Sequence, residues 1–233
     1  MLEVRKLQAG YGSATILFDV SFDVGEGEVV TLLGRNGAGK STTLKTIAGW
    51  LRPSRGSIHL DRQRIDGHPS YRVARAGLGF VPEGRRIFAD LTVAQNLEVG
   101  RRNEHVAMPW TVDRAFALFP ALVELRDRRG GQLSGGEQQM LAIARTLMGN
   151  PSLLLLDEPG EGLAPLIVAQ LAEALRELKR GGVSMLLAEQ SLALAARIAD
   201  RVCVIESGQI RHSGPYAEFA GDPSARAAYL GLD

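Results

Sequence analysis

Short apolar runs alternate along most of the chain with stretches in which apolar residues recur every three or four positions. That alternation predicts an α/β fold with a mostly parallel sheet. Leu2 to Leu7 and Ile16 to Val24 read as strands, with Gly10, Gly12 and Ser13 as turn residues between them. Glu28 to Leu33 reads as a buried strand ending at Gly34. A helix follows from about Lys40, with Leu44, Ile47, Ala48 and Leu51 on one face and Pro53 as its stop. Further strands are expected at Leu78 to Val81, Leu153 to Leu156, Val183 to Ala188 and Val202 to Ile205. The helix after Pro165 carries Val168, Leu171, Ala172, Leu175 and Leu178, and closes on Lys179, Arg180 and Gly181. Between about Gly84 and Asn150 helical periodicity replaces the strand signals. This predicts a helical subdomain at about 84–150, inserted into one α/β unit built from 1–83 and 151–233.

Composition excludes several classes. Hydrophobic residues at 45% and charged residues at 23% give the balance of a folded globular chain, not a disordered one. A net charge of +1 offers no electrostatic case for nucleic acid or an acidic lipid surface. The lone cysteine, Cys203, lies in an apolar strand and has no internal partner for a disulfide, which suits a reducing compartment. No apolar run is long enough to span a bilayer, and Met1 to Lys6 carries charges where a signal peptide needs an apolar core. If the protein works at a membrane, another chain is expected to hold it there.

Gly34-Arg35-Asn36-Gly37-Ala38-Gly39-Lys40-Ser41 satisfies the phosphate-loop pattern at every specified position, and it lies between a predicted strand and a predicted helix. Glycines let backbone N–H groups point at phosphate oxygens, and the helix N-terminus adds partial positive charge. Lys40 is expected to neutralise the β- and γ-phosphates of ATP, and the Ser41 hydroxyl to ligate Mg²⁺. Leu153 to Leu156 then runs into Asp157 and Glu158. Carboxylates at the end of an apolar strand are costly unless a cation or a task offsets them. Asp157 suits Mg²⁺, and Glu158 suits a general base that polarises the attacking water. An acidic cap on the following segment is the structural alternative.

A second glycine-rich helix start stands at Leu133-Ser134-Gly135-Gly136-Glu137-Gln138-Gln139. Ser134 and Glu137 form a capping box. The glycines weaken the first turn by up to about 1 kcal/mol each relative to alanine, and in return leave a bare N-terminus that a phosphate can approach. One nucleotide on the phosphate loop has no evident use for a second anion site, so the economical reading gives this one to a nucleotide on another subunit.

Together these motifs, in this order and rough spacing, resemble the nucleotide-binding domain of ABC transporters over essentially the whole chain. The resemblance implies a P-loop NTPase-type core with a mostly parallel sheet, an antiparallel β subdomain and an inserted helical subdomain. It implies a head-to-tail dimer of ATPase subunits, homomeric or heteromeric, in which Ser134, Gly135 and Gly136 of one subunit clasp the ATP held by the other. It extends the nucleotide contacts to Thr42 and Glu137, and it places Tyr11 against adenine, where stacking is worth about 1–3 kcal/mol. Without the resemblance, Tyr11 reads as a turn residue. Membrane-embedded permease subunits, an indirect substrate-binding protein and a place on the inner face of the membrane are implied in the same way.

Three positions depart from the family's pattern. Glu83 stands where Gln is usual, Gln190 where His is usual, and Ala164 where Asp is common. Glu83 can coordinate Mg²⁺ but brings negative charge near the phosphates. Gln190 can hydrogen-bond a γ-phosphate but does not titrate near neutrality. The runs at 81–88, 162–165 and 188–190 and the ending Tyr229-Leu230-Gly231 resemble the shorter ATPase subunit of bacterial branched-chain amino acid importers. ATPases of urea or short-amide importers are similar. Arg85, Arg86 and Phe88 are candidates for a partner contact, with a solvated arginine pair as the plain alternative. A soluble ABC ATPase in DNA repair or translation normally carries tandem cassettes or long coiled-coil inserts, and 233 residues leave room for neither. A P-loop kinase or GTPase has no use for Ser134 to Gly136.

Overall fold

The computed structural model describes residues 1–102, 108–224 and 227; the Tyr229-Leu230-Gly231 ending lies outside them. In chain order the elements are β1 (Leu2–Tyr11), β2 (Ala14–Val24), β3 (Val29–Leu33), α1 (Lys40–Ile47), β4 (Arg55–Leu60), β5 (Gln63–Arg64), α2 (Ser70–Arg75) and β6 (Leu78–Val81). They continue with α3 (Val93–Gly100), α4 (Val112–Leu118), α5 (Gly135–Leu147), β7 (Leu153–Asp157), α6 (Pro165–Arg180) and β8 (Ser184–Glu189). Last come α7 (Leu192–Ile198), β9 (Arg201–Glu206), β10 (Gln209–Pro215) and α8 (Tyr216–Gly221).

Two sheets organise the molecule. A four-stranded antiparallel sheet runs β2-β1-β4-β5, and a six-stranded sheet runs β10-β9-β3-β8-β7-β6. In the second sheet every pairing is parallel except that of β10 with β9. Its central strands β3, β7 and β8 are buried at every residue, as expected of apolar runs covered on both faces. One apolar cluster fills the space between the two sheets and α1; a second packs α3, α5 and α6 against the opposite face of the large sheet. The fold is therefore α/β, with the antiparallel sheet that the resemblance implied.

Several boundaries differ from expectation for local reasons. The first hairpin is tighter, since Gly10 already pairs with Thr15 and Tyr11 with Ala14, leaving Gly12 and Ser13 as the turn. The first helix is not stopped by Pro53. It ends at Ile47, and Gly49, in the left-handed region at φ +73°, turns the chain earlier. Strands β4, β5 and β10 and helix α2 carried too little apolar periodicity to be read from the sequence, because each has at most two fully buried side chains.

Buried Asn96 on α3 secures the loop that leads from Glu83 into the helical region. Its Nδ2 donates to the carbonyls of Phe88, Leu91 and Thr92, and its Oδ1 accepts from the Phe88 N–H at 2.9 Å. Asn96→Ala strands these groups, so it should lower unfolding free energy by about 2–3 kcal/mol, read from the denaturant midpoint.

Candidate functional site

Parallel pairing carries the C-terminal ends of β3, β6, β7 and β8 to one edge of the sheet, where open α/β folds bind ligands. The phosphate loop leaves β3 there and opens α1. Gly39 is the N-cap of α1 at φ +113°, a conformation that a residue with a Cβ rarely adopts, and it leaves the first N–H groups of the helix uncapped by a side chain. Lys40 is 3% exposed. Its Nζ donates to the carbonyls of Gly34 (2.8 Å) and Arg35 (3.2 Å) and pairs with Glu158 Oε1 at 3.0 Å. A buried ammonium requires such partners.

A cavity of about 380 Å³ opens over this loop. Of the expected residues it is lined by Tyr11, Asn36, Gly37, Gly39, Lys40, Ser41, Thr42, Glu83 and Glu158. Tyr11 is half-exposed at its mouth. Gly34 and Arg35 contribute through the carbonyls that hold Lys40, while Arg35 and Ala38 line an adjoining depression beside Glu206 and Ser207. Ser41 Oγ donates to Asp157 Oδ1 at 2.9 Å, and Asp157 Oδ2 is buried without a partner. Burial holds the Asp157 carboxyl above its ordinary value, opposed by the Ser41 hydrogen bond and by Lys45. An orphaned carboxylate oxygen beside a hydroxyl fits a hard divalent cation such as Mg²⁺. No group of three or more His, Cys, Asp or Glu side chains suited to a metal occurs among the described residues, and a Mg²⁺ ion that takes most of its ligands from water and phosphate needs none.

Two expectations fall outside the cavity. Gln190 follows β8 as predicted, yet it is exposed and does not line the cavity; the residue that turns inward is its neighbour Glu189. Ser134, Gly135, Gly136 and Glu137 open α5 and do not line the cavity over the phosphate loop of their own chain. The capping box is present in both directions, with the Ser134 N–H donating to Glu137 Oε2 at 2.7 Å. The glycines also have packing reasons that the sequence did not disclose. A Cβ on Gly136 would meet Ile167 Cγ2 at 2.8 Å, and one on Gly135 would lie 3.1 Å from the Arg85 guanidinium. Arg86 stacks over Trp50 at 4.7 Å and Phe88 beneath Arg145 at 5.0 Å, so neither is simply solvated.

Glu161, Ile16 and Glu189 were not anticipated. Glu161 and Ile16 line the cavity, and hydrogen bonding to Glu158 pushes the Glu161 carboxyl above its ordinary value. Glu189 ends β8 with 4% of its surface exposed. Burial first, then the negative charges of Glu158 and Glu161, push its carboxyl up to about 7, against the Gly160 N–H and Lys40. A carboxylate closing a buried strand, the signal that singled out Asp157, was equally present at Glu189.

A cradle for phosphate, a buried lysine and acidic residues at one sheet edge define a P-loop ATPase cassette. The family model described as "ABC transporter" matches residues 17–161. The high-affinity branched-chain amino acid transport ATP-binding protein BraG of Pseudomonas aeruginosa is 45% identical, covering 99% of this chain and all of that protein. The lipopolysaccharide export system ATP-binding protein LptB of Escherichia coli K12 is 33% identical over 100% of this chain and 98% of its own. Among solved structures, the ADP conformation of MJ1267, an ATP-binding cassette of an ABC transporter, superposes with a TM-score of 0.83 at 27% identity, covering 100% and 99% of the two chains. The chain belongs to the ABC transporter family. It is an ATPase whose hydrolysis is coupled to transport.

The raised Glu189 carboxyl has a consequence for stability. The folded chain holds that proton more tightly than the unfolded one, so the stabilisation is complete below the ordinary value of 4.5 and is lost as pH rises through about 7. Melting temperature should fall across that window in the parent protein and fall less in Glu189→Gln; parallel pH profiles would refute the assignment.

Proposed function

We propose that this chain is the ATP-hydrolysing subunit of an importer for branched-chain amino acids. The observation that carries this reading is the 45% identity to BraG along the full length of both chains. The more distant likeness to LptB supports a second reading, the ATPase of an exporter. Among the described residues no helix is long and apolar enough to cross a membrane. In this reading the subunit is peripheral on the inner face, bound to membrane-embedded permease subunits and supplied by a substrate-binding protein.

The roles follow from chemistry and placement. Lys40 and the loop N–H groups bind the β- and γ-phosphates of ATP, and Tyr11 takes adenine. Ser41 and Asp157, with Glu83 at the rim, hold Mg²⁺, which supplies charge neutralisation on the phosphates when bound. Glu158 accepts the proton of the attacking water. Glu83 is exposed, so its charge is screened by solvent, and Glu83→Gln should keep substantial hydrolysis. In this reading Gln190 comes to the phosphate only through movement of the segment after β8. Ser134, Gly135 and Gly136, set apart from their own phosphate loop, serve the nucleotide of a second ATPase subunit.

Replacing chromosomal Lys40 by Ala should abolish uptake of labelled leucine, isoleucine and valine while leaving urea uptake unchanged. Unaltered amino acid uptake would sink the importer reading, and loss of lipid export instead would favour the exporter. Glu158→Gln should bind ATP, fail to turn over and accumulate dimers. Parental turnover would move the general-base role elsewhere.

Mixing Ser134→Arg with Lys40→Ala, each inactive alone, tests the shared site. Partial recovery of ATPase activity would establish sharing between copies of this chain. No recovery, with ATP still bound by Ser134→Arg, points to a different ATPase subunit as the obligatory partner.

A further inference from the structure

Glu158 occupies its place at a backbone cost. Its φ is +48°, in the left-handed region, where a residue with a Cβ is disfavoured by roughly 1–2 kcal/mol. Such a conformation persists only where its surroundings hold it. Two hydrogen bonds bracket the strained residue, and both end on consecutive residues of β8. The N–H of Glu158 donates to the carbonyl of Ala188 at 2.9 Å. Two residues later, the N–H of Gly160 donates to Glu189 Oε1 at 3.3 Å.

Glu189 also reaches the other half of the site. Its backbone carbonyl accepts from the N–H of Gly34, the first residue of the phosphate loop, at 3.3 Å, and it stands opposite Leu33 in the pairing of β3 with β8. One residue therefore joins the entry of the phosphate loop to the turn that carries Glu158. Its carboxyl is buried, and no ion pair compensates it among the described residues. An apolar side chain would fill that space without the desolvation cost. What the carboxyl supplies is an acceptor for the Gly160 N–H.

We propose that Glu189 is a positioning residue for ATP hydrolysis, its side-chain oxygen holding the turn at Glu158 to Gly160 so that the Glu158 carboxylate faces the cavity and Lys40. The inference rests on the role of Glu158 proposed above.

Glu189→Gln keeps an acceptor oxygen and removes the charge, whereas Glu189→Met keeps the length and loses the acceptor. Glu189→Met should lower kcat by roughly 10–100-fold with nucleotide affinity changed by less than about threefold, and Glu189→Gln should recover most of the loss. Hydrogen exchange over residues 158–161 should quicken in Glu189→Met and stay slow in Glu189→Gln. Parental kcat in Glu189→Met, or equal losses in both variants, would overturn the proposal. Should Glu189→Met fail to fold, Glu189→Gln decides alone: slow exchange with near-parental turnover supports the acceptor role, and loss of either refutes it. Glu158→Gln assayed beside them separates the two readings. Full turnover there removes the role of Glu158 itself, whereas arrest there with parental kcat in Glu189→Met removes only the role of Glu189.

Discussion

The register of three parallel strands is the constraint on which the site depends. Leu33 lies opposite Glu189, and Asp157 lies opposite Ala188, so β8 sets the level at which the chain leaves both β3 and β7. Slipping either pairing by one residue would turn each side chain to the other face of the sheet. Strands β3, β7 and β8 are buried along their whole length, and that burial makes a slip expensive. The phosphate loop and the acidic turn meet because their strands are locked to a common neighbour, and the Lys40–Glu158 ion pair and the Ser41–Asp157 hydrogen bond then join them.

Charge at this edge is unbalanced. Glu83, Glu158 and Glu161 line the cavity and Asp157 and Glu189 lie buried around it, while Lys40 is the cation among the lining residues. Such a setting repels a polyanion unless the phosphates arrive with a cation and the loop presents its N–H groups to them. The orphaned Asp157 oxygen and the raised carboxyls are physical signs of the same imbalance. Lys40 is satisfied within the chain by two carbonyls and Glu158, so the phosphate binding proposed for it would rearrange an existing network of contacts.

The start of α5 has two sets of obligations. Its glycines admit Ile167 of α6 and the Arg85 guanidinium, and its capping box satisfies the first turn without any ligand. Packing thus accounts for part of a sequence that chemistry alone seemed to demand. What packing leaves unexplained is that Ser134 lies outside the cavity lined by the phosphate loop of its own chain, the feature that motivates a site shared between subunits.

Much of the fold was legible from local rules. The fully apolar runs of β3, β7 and β8, the periodic face of α6 and the glycine-lysine loop each carry their signal within a few consecutive residues. The weakly apolar strands β4 and β10 carry no such signal, and their pairing partners stabilise them. At the site, the sequence by itself determined which residues carry side chains suited to phosphate and acid–base chemistry. Only the tertiary structure decided that Glu189 faces inward while Gln190 faces out, that Glu158 adopts a left-handed turn, and that Gly136 makes room for Ile167. Those outcomes rest on contacts between segments far apart in the chain, and side-chain direction at a strand's end is set by its neighbours rather than by its own spacing.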